Sequence, residues 1–148
     1  MMDLNPWKEY MSALSEEKFF YMMRLYFGDI KTPYNKLRLI EQLASFARNG
    51  QNLQNLISLL DENDIKILTI ISLMPSVTAE NFCSFLEDDM SHGEVLVRLE
   101  NLQTRLLIYT EKVSYQNKVS YRITPLVEEE IKPYLDPESI LPVAESDH

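Results

Sequence analysis

"SHGEVLVRLENLQTRLLIYT", residues 91–110, changes its hydrophobic period part-way along, and this change largely determines the predicted fold. Ser91 and Glu94 have the S-x-x-E spacing of a capping box, which predicts a helix that begins at Ser91. An apolar stripe at helical spacing follows, formed by Val95, Leu99, Leu102 and Leu106. After Leu106 the period becomes two, so residues 107–124 are predicted to form a β-hairpin.

The residues before this stretch predict helices only. Their apolar side chains recur at helical spacing in successive segments, at about 6–13, 16–27, 34–48, 51–60, 62–74 and 78–87. Asn5, Ser15 and Asp61 are the predicted N-caps of three of these helices. The segment after Asp61 is apolar almost all round, so we expect it to lie at the centre of the fold. The predicted class is therefore mainly α with a small β-hairpin (α+β).

Several side chains are expected to be buried by these helices. Leu37 belongs to the predicted apolar stripe of the third helix, and Phe82, Phe85 and Leu86 to that of the sixth. A last helix is predicted over residues 125–135, because Thr124-Pro125 is a typical helix start and three glutamates follow.

The register of the hairpin can also be predicted. On both predicted strands the alternating apolar residues are odd-numbered. They lie on one face of the hairpin only if odd-numbered residues pair with each other, so that paired residue numbers sum to an even value. That condition requires a loop of odd length, with Asn117 as the candidate for its left-handed position. In this register Lys112 and Arg122 face solvent together, and Lys118 lies near the tip.

Residues 61–136 resemble a winged helix-turn-helix domain in the order and length of their elements. The order is helix, helix, capped helix, hairpin and closing helix, and "YRITPLVEEEI" at 121–131 is similar to the usual end of such domains. The resemblance implies that the helix after Ser91 is the recognition helix and that the hairpin is the wing.

Residues 15–48 resemble a SAP-type helix–loop–helix. Gly28 ends the first helix, and lysine-leucine positions of the second are occupied by Lys36, Leu39, Ile40 and Leu43. Asn35 stands where a small residue is usual. The predicted organisation is a helical, SAP-like part at 1–60, packed on a C-terminal winged helix at 61–136, with an acidic tail or linker at 137–148. This arrangement is similar to the accessory region of some bacterial DNA-repair helicases, but the chain has no helicase motif.

Composition argues against several classes of function. The net charge of −9 comes from residues 61–148, because residues 1–60 are nearly neutral. The three glycines are far apart, whereas phosphate-binding loops need them clustered. Cys83 is the single cysteine, and the two histidines are widely separated, so no zinc site is expected. We expect no enzyme activity, no cofactor, no metal, no small-molecule substrate and no membrane insertion, and a cytoplasmic location.

Two sets of residues are candidates for binding. The DNA-binding set contains the reading face of the recognition helix, the wing and the SAP-like patch: Arg98, Asn101, Arg105, Lys112, Lys118, Arg122, Lys31, Lys36 and Arg38. The partner-binding set is acidic and lies at the start of the recognition helix: Glu87, Asp88, Asp89 and Glu94. Because these carboxylates would repel phosphates, we expect an adaptor that contacts a protein or another domain. DNA binding is the alternative, and an enzyme has little support.

Overall fold

The computed structural model describes residues 3–113, 118–135 and 137–140, with all side chains in these ranges except Val113, Ser139 and Ile140. The elements are, in chain order, α1 (Asn5–Ala13), α2 (Glu16–Phe27), α3 (Lys36–Arg48), α4 (Gly50–Ser58), α5 (Glu62–Leu73), α6 (Ala79–Phe85), α7 (His92–Thr104), β1 (Ile108–Val113), β2 (Lys118–Ile123), α8 (Glu128–Ile131) and α9 (Pro137–Ile140). The predicted class, mainly α with a small β-hairpin, is confirmed.

Most helices begin at a side chain that satisfies their free backbone N–H groups. Ser15, Asp61 and Ser91 accept hydrogen bonds from the third residue of α2, α5 and α7, as predicted. The prediction for Asn5 was wrong. It is the first residue of α1, whose N-cap position is Leu4, and its own N–H donates to Asp3 Oδ1 at 3.0 Å.

The core is one cluster that runs through both predicted parts of the chain. The centre of α5 is buried as expected, with Ile67, Leu68 and Ile70 fully enclosed. The predicted stripe is buried at every position: Val95, Leu99 and Leu102 lie in α7, and Leu106 lies two residues beyond its end. Two burial predictions were wrong, because Leu37 and Phe85 are exposed on the outer sides of α3 and α6.

Aromatic residues attach α1 and α2 to the C-terminal part. Trp7 is buried in the shared core. The Tyr10 hydroxyl donates to Gln103 Oε1 at 3.2 Å, and the Tyr26 hydroxyl donates to the Thr104 carbonyl at 2.6 Å. Burial raises the pKa of Tyr26 to about 12, so its hydroxyl remains a donor at neutral pH. The end of α7 is therefore held by two helices from the N-terminal part.

The predicted hairpin register was wrong. β1 and β2 pair antiparallel from Ile108 opposite Ile123 to Val113 opposite Lys118, so the paired numbers sum to an odd value. Each face of the hairpin is covered by a different helix. The Tyr109 ring centroid lies 6.1 Å from that of Tyr10 on α1. The centroid of Tyr121, on the other face, lies 5.7 Å from that of Phe82 on α6. Apolar residues of the two strands therefore need not share one face.

Two further predictions about the hairpin are affected by this register. Lys112 and Arg122 lie on opposite faces of the sheet instead of facing solvent together. The pairing of Val113 with Lys118 is incompatible with a loop of odd length, and residues 114–117 between them lie outside the described ranges. Asn117 lies outside the described residues.

The closing helix is shorter than predicted. α8 spans only Glu128–Ile131, and a 3₁₀ turn follows at Lys132–Tyr134. Pro133 explains the interruption, because proline has no N–H to donate to the carbonyl one turn earlier. Among the described residues, no helix is both long and apolar enough to cross a lipid bilayer.

Candidate functional site

Arg98 extends from the middle of α7 to the first turn of α5. Its Nη1 donates to Asp61 Oδ1 at 2.7 Å and to Asp64 Oδ1 at 2.9 Å, and its Nε donates to Glu94 Oε2 at 2.8 Å. Asp61 and Asp64 also form the capping box of α5. These four residues, the Arg98 cluster, therefore fix the start of α5 against the middle of α7.

Hydrogen bonds within the Arg98 cluster favour the charged forms of Arg98 and Asp61. Burial would lower the pKa of Arg98, but hydrogen bonds to Asp61, Glu94 and Asp64 outweigh it and raise the pKa above its ordinary value. Partial burial would likewise raise the pKa of Asp61, yet bonds from Arg98 and from backbone N–H groups lower it. The positive charge of Arg98 is thus neutralised within the chain.

The predicted capping box of α7 is only half formed, because the Glu94 carboxylate is engaged in the Arg98 cluster. Ser91 accepts from the Glu94 N–H at 3.1 Å. The Glu94 carboxylate, however, accepts from Arg98 and from Asn63 Nδ2, at 2.8 and 3.3 Å, and not from the backbone of Ser91.

Arg105 is also engaged inside the fold. Its Nη2 donates to the Leu56 carbonyl at 3.1 Å, and its Nη1 lies 3.5 Å from Asp64 Oδ2. Asn101, the third member of the predicted reading face, is exposed. The structure therefore brings Arg98 and Arg105 together at Asp64, where both guanidinium groups face carboxylates of the chain itself.

Two of the three cations of the predicted wing are paired as well. Lys118 Nζ lies 2.7 Å from Glu80 Oε1 on α6, and Arg122 Nε lies 2.9 Å from Glu111 Oε1 on β1. Lys112 is exposed on the face of the hairpin opposite to that of Arg122. Such exposed pairs contribute little stability, but they lower the positive potential that a phosphate would meet at the hairpin.

The basic patch of the predicted SAP-like part contains both paired and unpaired cations. Lys36 Nζ donates to the Leu14 carbonyl at 3.1 Å and lies 4.8 Å from the centre of the Phe19 ring. It also lies 3.5 Å from Glu16 Oε1. Lys31 and Arg38 are exposed, and among the described side chains neither has an ion-pair partner within 4.0 Å.

The acidic partner-binding set likewise contains both paired and unpaired carboxylates. Asp89 Oδ1 lies 2.8 Å from Lys66 Nζ, so this carboxylate links α5 to the turn before α7. Glu94 belongs to the Arg98 cluster. Glu87 and Asp88 are exposed, and within the described part of the chain they have no ion-pair partner. Within this set and the described part of the chain, only Glu87 and Asp88 are therefore unpaired.

No cluster of three potential metal ligands occurs among the described residues. Burial, and then Glu80, raise the pKa of Cys83, which disfavours the reactive thiolate. His92 is exposed in the first turn of α7.

Four exposed apolar side chains of α2 and α7 line two grooves that have Tyr21 in common. Tyr21 and Leu25 from α2 are 57% and 52% exposed, and Leu96 and Val97 from α7 are 49% and 62% exposed. Tyr21 lines one groove with Leu96 and Val97 and a second groove with Leu25. We call these four residues the α2–α7 face.

Two of the four residues of the α2–α7 face could have been identified as exposed from the sequence alone. Leu96 and Val97 follow Val95 directly, so they lie off the buried stripe of an amphipathic helix. Apolar residues at such positions are exposed unless another element covers them. The position of Tyr21 beside them could not be predicted, because it depends on the packing of segments more than 70 residues apart in the sequence.

The comparisons with known proteins cover only the N-terminal part. A family model described as TP_0021_N, N-terminal domain, matches residues 1–48. No curated protein matches the chain, and no solved structure matches it. The matched segment ends with α3 and includes Tyr21 and Leu25, whereas Leu96 and Val97 lie outside it.

Proposed function

We propose that the chain is a non-enzymatic adaptor that contacts a protein partner, or another domain, through the α2–α7 face. The observation that supports this function best is the exposure of Tyr21, Leu25, Leu96 and Val97 on one surface. Exposed apolar side chains that adjoin one another mark interaction sites more often than singly scattered ones do. A cytoplasmic location is part of the proposal, and the free thiol of Cys83 is compatible with it.

We also propose that residues 61–136 form a winged helix-turn-helix. The order of α5, α6, α7 and the hairpin supports this assignment. So does the hydrogen bond from the Tyr121 N–H to the Val77 carbonyl, 2.9 Å long, which joins β2 to the segment between α5 and α6. In such a domain α7 is the recognition helix. Its outer side here carries Leu96 and Val97, which suit a protein surface better than a phosphate backbone.

DNA binding is the alternative, and the exposed Lys31 and Arg38 favour it. Because Arg98, Arg105, Lys118 and Arg122 are engaged within the chain, few cations remain to neutralise phosphates. We expect mixed-sequence duplex DNA to bind more weakly than about 10 μM at physiological salt, in the non-specific range. Fluorescence polarisation across a salt series measures this. Submicromolar binding that Lys31→Ala and Arg38→Ala abolish would instead support the DNA-binding function.

A photo-cross-linking amino acid placed at Tyr21 tests the adaptor function. In the source cells it should form a discrete protein adduct, whereas the same group at the exposed Leu37 should not. The purified partner should then bind Val97→Asp at least about tenfold more weakly than the wild type, because an aspartate must lose its hydration in an apolar contact. Leu37→Asp is the matched control, since it places the same charge on another exposed helix.

Equal adducts at positions 21 and 37 would contradict the proposal. Equal affinity of the Val97→Asp and Leu37→Asp variants would contradict it too. Neither variant should be destabilised by more than about 0.5 kcal/mol, because both side chains are exposed.

A further inference from the structure

We propose that the cavity between the end of α5, the hairpin and α8 binds a small molecule with an aliphatic part and a zwitterionic head, such as an apolar α-amino acid. The cavity has a volume of about 400 Å³, which is within the range of small-molecule sites. Binding alone is proposed, so the site adds a ligand to the adaptor and not an enzyme activity. The residues of the cavity belong to three separate segments of the chain, which explains why the sequence does not predict it.

Tyr109 gives the cavity a buried polar group. This residue is only 5% exposed and lines the cavity, and among the described residues its hydroxyl has no hydrogen-bond partner within 3.5 Å. Burial and then the charge of Glu111 raise the pKa of the hydroxyl, and of the smaller influences Arg122 lowers it and Glu128 raises it. Arg122 and Glu128 also line the cavity, so the hydroxyl lies on their side of the ring. Because a buried hydroxyl without a partner is costly, an acceptor that enters the cavity gains a hydrogen bond here.

Tyr109 and Arg122 are placed to hold one carboxylate together. They are directly opposite each other in β1 and β2, so their side chains share a face, with Cβ atoms about 5 Å apart. Arg122 donates through Nε to Glu111 Oε1 at 2.9 Å, and among the described residues its two Nη groups have no hydrogen-bond partner. A carboxylate can accept from an Nη group and from the hydroxyl at the same time, and such charge-assisted hydrogen bonds are the stronger ones.

The unpaired carboxylate of the cavity suits an ammonium group. Glu128 is exposed at the border of the cavity, and within the described part of the chain it has no ion-pair partner within 4.0 Å. Lys132, the second cation of the lining, is already paired, since its Nζ lies 2.9 Å from Glu129 Oε2. The cavity therefore offers unpaired groups of both signs, which complement the two charges of a zwitterion.

The rest of the lining is mostly apolar. Apart from Ser72 and the groups already named, it consists of Ile71, Pro75, Ile123, Pro125, Ile131 and Leu135. A branched aliphatic chain would lose its contact with water against these side chains, and this transfer is favourable. The aliphatic part of the ligand should thus contribute to the affinity together with the charged head.

Leucine and three analogues test the inference, with binding followed by chemical-shift changes in the isotope-labelled protein. Isocaproate lacks the ammonium group of leucine, isopentylamine lacks the carboxylate, and serine lacks the aliphatic part. Leucine should bind with a Kd below about 1 mM. Each analogue should bind at least about tenfold more weakly, because it leaves one charge of the cavity unpaired or its apolar lining in water. The largest shifts should occur at residues that line the cavity.

Two substitutions assign the two charges of the ligand. Tyr109→Phe should weaken the binding of leucine and isocaproate about tenfold, but not that of isopentylamine, because the hydroxyl contacts only the carboxylate. Glu128→Gln should weaken the binding of leucine and isopentylamine and leave that of isocaproate unchanged. Tyr134→Phe and Glu130→Gln are the matched controls, since both residues are exposed and neither lines the cavity.

The inference would be overturned if leucine caused no saturable shift changes, or changed only residues far from the cavity. Equal affinities for leucine, isocaproate and isopentylamine would overturn it as well, because the zwitterionic head would then play no part. Circular dichroism shows whether Tyr109→Phe is folded, and Glu128→Gln, at an exposed residue, provides the test if it is not. The α2–α7 face takes no part in this site, so the cross-link at position 21 tests the proposed function separately.

Discussion

Replacing Arg98 with methionine should lower the free energy of unfolding by about 2–3 kcal/mol. The variant leaves Asp64, whose side chain is only 8% exposed, without the guanidinium that approaches it most closely. Removing one partner of a buried ion pair costs more than the pair itself contributes, because the remaining charge is left desolvated. The residual contact of Asp64 with Arg105 at 3.5 Å keeps the expected loss at the lower end of the usual range.

Urea unfolding followed by circular dichroism measures this loss. Arg122→Met is the matched control. It breaks an arginine–carboxylate pair whose two side chains are well exposed, so it should cost less than about 1 kcal/mol. Equal losses in the two variants would show that the Arg98 cluster is an ordinary surface pair, and Arg98 would again be a candidate for DNA contact.

Acid unfolding provides an independent readout of the same cluster. Because the folded-state pKa of Asp61 is lowered below its ordinary value of 3.8, this group contributes stability above that pH. The contribution is lost as the pH falls through the lowered pKa. The wild type should therefore lose more stability than Arg98→Met between about pH 5 and pH 3. Parallel curves for the two proteins would contradict the assigned role of Arg98.

Local interactions explain why part of the fold was predictable. Ser15, Asp61 and Ser91 were identified correctly, because a cap depends on a side chain and an N–H group within three residues of each other. The buried stripe of α7 was likewise evident from its spacing. The mainly α class with one hairpin follows from these local patterns.

The features that were missed depend on which elements cover each other. The hairpin register was predicted on the assumption that apolar residues share one face, but α1 covers Tyr109 and α6 covers Tyr121. Arg98 appeared to be a free cation on an outward face. It is not free, because the fold brings Asp61 and Asp64, more than 30 residues earlier in the chain, to its side. The residues of the α2–α7 face were separated in the sequence, so their proximity was not evident.

The largest expected effect on stability comes from a substitution in α1, because this helix shares its core with the C-terminal part. Trp7→Ala should lower the free energy of unfolding by about 3–5 kcal/mol, the range found for removal of a large buried aromatic side chain. Trp7 is 1% exposed and belongs to a core that also contains residues of α5, α7 and β1. The loss should therefore affect the whole chain and not residues 1–60 alone.

Unfolding should remain a single transition in both the wild type and the variant, because α1 and α2 share their core with the C-terminal part. Circular dichroism is the appropriate probe, since Trp7 is the only tryptophan and its fluorescence disappears with the substitution. Leu59→Ala is the control: this leucine is 74% exposed, and its removal should change stability by no more than about 0.5 kcal/mol. Two separate transitions, only the first of them shifted by Trp7→Ala, would show that residues 61–136 fold independently.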